Sequence, residues 1–402
     1  TGMAFVGPAT ILPALVRLLG GSPVLVGSLG AVLSGSWLLP QLAAGRYVAN
    51  RPLVRRQVIL PLLASRAALL LYLPVLLWAG TRAPGIALAG LLLAVGAFQM
   101  ADAVGSVPWF DLYGKVVPPE RRGRQVGIVQ TIAGVAGIGV GAIVAAVLAR
   151  PSSPVANHTL LLFFATLLFA AELVALALIH EPPGETSRQV QPPWREYSTR
   201  LRTIVRTDVR FLWVTGMRWL SGFADMAATF YVLYATGRLG LGESTIGLFV
   251  SAGVVGGLLS GLILAPLGDR HGSVWVIRVV ATLRCLCPLL ALLTPILAPV
   301  TPWLAVGAFM LIYAAIGAAN AAFMAGFVNY LLAIAPAGER GLYVGLSNTL
   351  CSVLLLAPLL AGALAEWVSF EFLFAVAFAL GLISLLAAAR SPQVGIAVPK
   401  AG

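Results

Sequence analysis

The chain of 402 residues is 59% hydrophobic and only 10% charged, against roughly 25% charged residues in an ordinary soluble domain. Too little polar surface remains to cover a body in water, which excludes soluble, collagen-like, disordered and disulfide-stapled classes and makes a bilayer the solvent for most of the chain. The formal charge of +12 raises a nucleic-acid partner, and the placement of the basic residues decides against one.

Windows of about 20 apolar residues, the length that crosses a hydrocarbon core of roughly 30 Å, recur twelve times. They fall near residues 1–19, 24–44, 57–79, 86–112, 125–149, 159–180, 210–236, 244–267, 274–297, 303–334, 342–364 and 369–390. Each is predicted to be helical, because barrel-type alternation is missing and backbone groups in lipid must be satisfied within the segment. Alternate loops differ sharply in charge. One set, from Arg46 through Lys115, Arg122, the stretch Arg188 to Arg210, Arg270 and Arg340 to Lys400, carries 19 Arg and Lys, and the other carries only Arg17, Arg82, Arg150 and Arg238. The basic set is expected in the cytoplasm, with both termini. Most of the net charge therefore reports topology, and no nucleic-acid partner is expected. Cys285, Cys287 and Cys351 fall inside predicted helices as buried, inert thiols, and His158, His180 and His271 are too scattered for a metal site.

The sequence repeats itself. A shift of 218 or 219 positions lays Arg66 on Arg284, Asp102 on Asn320, Arg122-Gly123 on Arg340-Gly341, Gly127 on Gly345 and Asn50-Arg51 on Asp269-Arg270. Two six-helix units in the same orientation follow, since six is an even number of crossings. Residues 1–180 are expected as the first bundle, 209–390 as the second and 391–402 as a cytoplasmic tail. Residues 181–208 form the linker, in which WREYSTRLRTIVR reads either as an amphipathic helix on the anionic inner leaflet or as a solvated connection. The helix matching the first span begins some ten residues earlier in the second unit, so the start of the first helix is expected to be missing before Thr1.

Twelve spans in two parallel repeats around a cytoplasmic linker resemble the major facilitator superfamily, of the bacterial 12-helix type. APLGDRHG at 265–272 is similar to that family's signature between the second and third helices of each half, matching at Asp269, Arg270 and Gly272, with Ala265 in place of the opening Gly. The first-half copy, GRYVANRPLVRR from Gly45, is degraded and has Asn50 where Asp is expected, while PERRGRQVG and AGERGLYVG look like entries to the fifth and eleventh helices. The resemblance implies an all-α integral membrane fold of two pseudo-symmetric six-helix bundles. It also implies secondary active transport of a small organic solute across the inner (plasma) membrane by alternating access, coupled to protons. Drug or lipophile efflux on the same fold is the near alternative, and a transport-inactive sensor or scaffold a more distant one. No nucleophile, metal cluster or phosphate-binding GxxxxGK[ST] loop marks an enzyme or an ATP-driven pump. The expected partners are a solute, protons and lipid, with no cofactor, and the expected state is a monomer. In the family arrangement Asp269 faces the start of the fifth helix and Arg122 or Arg124 as a cytoplasmic latch. The counterpart latch, from Asn50 to the eleventh helix near Arg340, lacks its charge.

Arg66, Asp102, Glu172, Arg218, Asp225 and Arg284 lie inside predicted spans, where an ionised group costs roughly 2.5 to 3.5 kcal/mol on translocon scales. They must pair or face water. The family's first, fourth, seventh and tenth helices line the cavity, which singles out Asp102, Arg218, Asp225 and Asn320. Gln99, Asp102, Ser106 and Trp109 share one helical face. Arg218 and Asp225 share another, and Tyr313, Asn320 and Phe327 a third. Counting from Arg82 puts Arg66 and Asp102 at nearly equal depth, so Asp102 reads equally as half of a structural pair and as a proton or substrate site. Glu172, Arg66 and Arg284 read mainly as structural.

Overall fold

The computed structural model describes residues 2–40, 53–117, 119–182, 194–336 and 340–390. Among them, nine helices are long and apolar enough to cross a membrane, and Gly2–Leu18 and Pro23–Trp37 are shorter apolar segments. The expected seventh span is helical in pieces, Val209–Ala224, Asp225–Ala227, Tyr231–Leu233 and Tyr234–Arg238. Prolines open helices at Pro23, Pro84, Pro154 and Pro302, where the missing N–H costs nothing because the first turn has no acceptor for it.

The chain divides into two compact units that differ from the expected halves. The first comprises residues 1–190 together with 228–251 and 355–370, so two pieces of the second sequence repeat pack with the first. Two of the divisions fall at irregular turns, beside Asp225–Ala227 and within Cys351–Leu356, both wound as 3₁₀ helix. In this unit Pro23–Leu38 packs closely on Ala357–Trp367. A Cβ on Gly362 would stand 2.6 Å from the Pro23 carbonyl oxygen. The Glu366 carboxylate accepts from the Val24 N–H at 2.9 Å, an anion at a helix start. At the other end of the unit Glu181 accepts from the N–H of Val54 and of Arg55, each at 2.8 Å, and pairs with Lys115 at 3.3 Å. The end of one span is thereby tied to the start of another.

The second unit holds residues 191–227, 252–354 and 371–402. Asp208 caps Val209–Ala224 by accepting from the N–H of Arg210 and Phe211 at 3.0 Å, and its second oxygen accepts from the Tyr343 hydroxyl at 2.8 Å. Phe211, Val214, Met217, Ile277, Tyr330 and Leu331 form the buried core beside them. The linker sequence forms the helix Trp194–Thr207. Its Ile204 is buried and Leu201 and Val205 pack on the same core, so these three apolar residues meet protein and not the lipid surface. The dry core offers Ile204 a continuous apolar contact that headgroups cannot match.

Gly253, Gly256 and Gly317 let Thr245–Leu259 approach Pro302–Ala321 at backbone distance, since a Cβ at Gly317 would collide with the Gly253 carbonyl. Gly317→Val is expected to destabilise the second unit by about 1 to 3 kcal/mol, the usual cost of overpacking, seen as a lower thermal midpoint in detergent. An unchanged midpoint would show that this approach carries no packing role.

Candidate functional site

Arg66 sits in the middle of Arg55–Arg82, and its side chain is only 7% exposed. One guanidinium nitrogen, Nη1, donates to Asp102 Oδ1 and to Ser65 Oγ at 2.9 Å, and the other, Nη2, donates to Glu172 Oε2 at 2.6 Å. The rings of Phe98 and Phe169 lie 5.5 and 4.6 Å from Arg66 Cζ, so the cation meets π faces above its fork of acceptors. Ser65 is held in turn by the Phe98 carbonyl at 3.0 Å. The structure brings together the pair expected from equal depth and adds Glu172 to it. The carboxylates remain partly open, with side-chain exposures of 25% for Asp102 and 46% for Glu172. One cation thus faces two carboxylates.

The second unit holds the repeat image of this contact. Arg284 donates to the Ser221 carbonyl at 2.7 Å and to Asn320 Oδ1 at 3.3 Å, and lies 3.6 Å from Asp225 Oδ2. Arg284 and Asn320 are the residues that the sequence repeat aligns with Arg66 and Asp102. The carboxylate comes from Asp225, which follows the last residue of Val209–Ala224 and opens the 3₁₀ turn Asp225–Ala227. Arg218 and Asp225 are joined by unbroken α-helix and keep the shared face, but seven residues set them about 10 Å apart along the axis, and Asp225 pairs with Arg284 instead.

Arg218 instead donates to Ser347 Oγ at 2.6 Å and to Asn348 Oδ1 at 2.9 Å, with the Phe323 ring 5.2 Å from its Cζ. Ser347 and Asn348 belong to Arg340–Leu350, and neither was singled out from the sequence. Trp219 Nε1 donates to the Leu350 carbonyl at 3.0 Å and holds the same two helices together. A polar pair, Ser-Asn, inside a predicted span was the available signal.

The other expected positions scatter. Gln99 is half-buried and Ser106 turns its hydroxyl to the Ala103 carbonyl at 2.8 Å. Trp109 is exposed and stacks on Tyr113 with centroids 5.3 Å apart. Tyr313 is 3% exposed and Phe327 2%, so both are packing residues, which corrects their placement on an open face with Asn320. A π-helical turn at Met324–Val328 shifts the register between Asn320 and Phe327. Asp269 and Arg270 are exposed at the end of Ala265–His271, and Gly272 follows with φ of 84°, a conformation that favours glycine. Asn50 and the side chains of Arg122, Arg124 and Arg340, the remaining latch positions, lie outside the described residues.

A sequence profile of the Major Facilitator Superfamily matches residues 214–399. The fold is similar to a bacterial homologue of the iron transporter ferroportin in an inward-facing state, at 18% identity and a TM-score of 0.70, covering 98% of this chain and 95% of the other. It is also similar to a D-xylose–proton symporter, at 13% identity and a TM-score of 0.71, covering 98% and 95%. The nucleoside transporter NupG gives 13% identity and a TM-score of 0.63 over 96% and 94%. No curated protein matches the sequence. With its apolar spans, this is a multi-pass membrane protein whose fold is similar to that of these transporters, and its residues 214–399 carry the profile of the Major Facilitator Superfamily.

Proposed function

We propose that the protein moves a small organic solute across the cell's inner membrane by alternating access, driven by protons, with both termini in the cytoplasm. The observation that carries this reading is the cluster of Arg66, Asp102 and Glu172. Within a span an uncompensated charge is costly, and one guanidinium offsets only one of the two carboxylates. Uptake of one proton by the cluster would remove the surplus. Among the described residues Arg218 has no carboxylate beside it, and its positive charge disfavours a metal cation as cargo there.

Alternating access draws support from the first unit. Gly27 and Gly30 meet Pro358, Gly362 meets Pro23, and Gly141 meets Gly247. These are direct contacts between the two sequence repeats, at the ends of spans that lead to the loops poor in Arg. Such backbone approaches close this side, and only small residues permit them.

In liposomes under an imposed pH gradient, a polar or zwitterionic solute is expected to accumulate, and a protonophore to abolish the accumulation. Asp102→Asn leaves one cation with one carboxylate, so it is expected to fold, keep downhill exchange and lose gradient-driven accumulation. Intact accumulation in both Asp102→Asn and Glu172→Gln would remove the proton role from this cluster. Gly362→Leu is expected to raise labelling of Ser28→Cys by an impermeant maleimide several-fold from the side of the Arg-poor loops. Unchanged labelling would show that this contact does not hold that side shut.

A further inference from the structure

Arg218 stands about 14 Å along its helix from Val209, at 1.5 Å per residue, well within the hydrocarbon depth. The other two arginines deep in described spans each have a carboxylate beside them: Arg66 has Asp102 and Glu172, and Arg284 has Asp225. Among the described residues Arg218 pairs with none. Its partners are the neutral oxygens of Ser347 and Asn348 and the face of Phe323.

The donor inventory points the same way. A guanidinium has five N–H donors and a carboxamide has two. Ser347 and Asn348 take two of the five, and the Asn348 amide uses its oxygen toward Arg218, which leaves its N–H₂ turned elsewhere. Three N–H groups of Arg218 and two of Asn348 therefore have no protein acceptor among the described residues, and both side chains are half-buried, not sealed. The thread from Thr215 Oγ1 to Ser347 Oγ at 3.5 Å and the Trp219 bond to Leu350 fix the frame around them. A fixed cation with surplus donors and no anion is complementary to an oxyanion, which a planar guanidinium grips through two parallel bonds.

We propose that Arg218, with Asn348 and Ser347, seats an oxyanion group of the transported solute, a carboxylate or a phosphate. The proposal deepens the transport reading and depends on it only for the word transported. The alternative, in which Arg218 merely struts two helices, gives no preference between an anion and its neutral isostere.

Calorimetric titration of the full chain in lipid nanodiscs separates them, with benzoate, inorganic phosphate and the neutral isostere benzamide as probes. Benzoate or phosphate is expected to bind, and benzamide to bind at least about tenfold more weakly, the loss of one charge-assisted hydrogen bond. Whichever anion binds tighter names the source of the oxyanion. Arg218→Lys should weaken that affinity and Arg218→Gln abolish it. Asn348→Leu keeps the arginine, should also weaken binding, and serves if Arg218→Gln does not fold. Binding of neither anion, or binding that survives both Arg218→Gln and Asn348→Leu, overturns the site. If the anion site fails while a neutral solute still follows a pH gradient in liposomes, the transport reading stands alone. If benzoate binds through Arg218 and no solute moves under any gradient, the site stands and the transport reading falls.

Discussion

The low dielectric of a bilayer does not tolerate an isolated charge, and this constraint organises the molecule. Six ionisable side chains lie deep in its spans, and water is not freely available to solvate them. Each must be answered by protein, by a proton or by a ligand. Arg66 is answered by two carboxylates, a hydroxyl and two aromatic faces, although its buried Nε has no acceptor. Arg284 is answered by one carboxylate, a carbonyl and an amide oxygen. Among the described residues Arg218 is answered only by neutral groups.

Most of the architecture was legible because lipid makes it so. Long apolar runs leave the backbone no choice but helix, and the apolar windows predicted near 57–79, 159–180 and 274–297 return as Arg55–Arg82, Pro154–Ala177 and Ser273–Leu297. What escaped was departure from regular winding. The 3₁₀ turns at Asp225–Ala227 and Cys351–Leu356 and the π-helical turn at Met324–Val328 move side chains off the face that their spacing assigns. That is why the register fails between Asn320 and Phe327. Period-based reasoning assumes 3.6 residues per turn and has no term for such a break.

Depth counting did better than face counting. Arg66 and Asp102 are found joined as their distances from the Arg82 hairpin suggest. The same count applied from Arg150 reaches Glu172 after 22 residues, close to the 20 that separate Arg82 from Asp102. The third member of the cluster was therefore within reach of the sequence. Translation along a helix is insensitive to a local twist, because a 3₁₀ or π turn changes azimuth far more than it changes height. For ions in membranes, equal height is the stronger predictor of partnership.

The repeat sets one contact in two different charge environments. In both units an arginine of the third span of its repeat reaches the fourth, at Asp102 in one and at Asn320 in the other. The exchange of a carboxylate for an amide removes a negative charge from the second unit, and Asp225 restores only enough to balance Arg284. The first unit is left with one carboxylate in excess and the second with one guanidinium in excess. A proton on the first and an oxyanion on the second would neutralise each unit's surplus where it stands. Such a carrier could change its packing in lipid without moving a bare charge through the low-dielectric core, which is the step the bilayer penalises most.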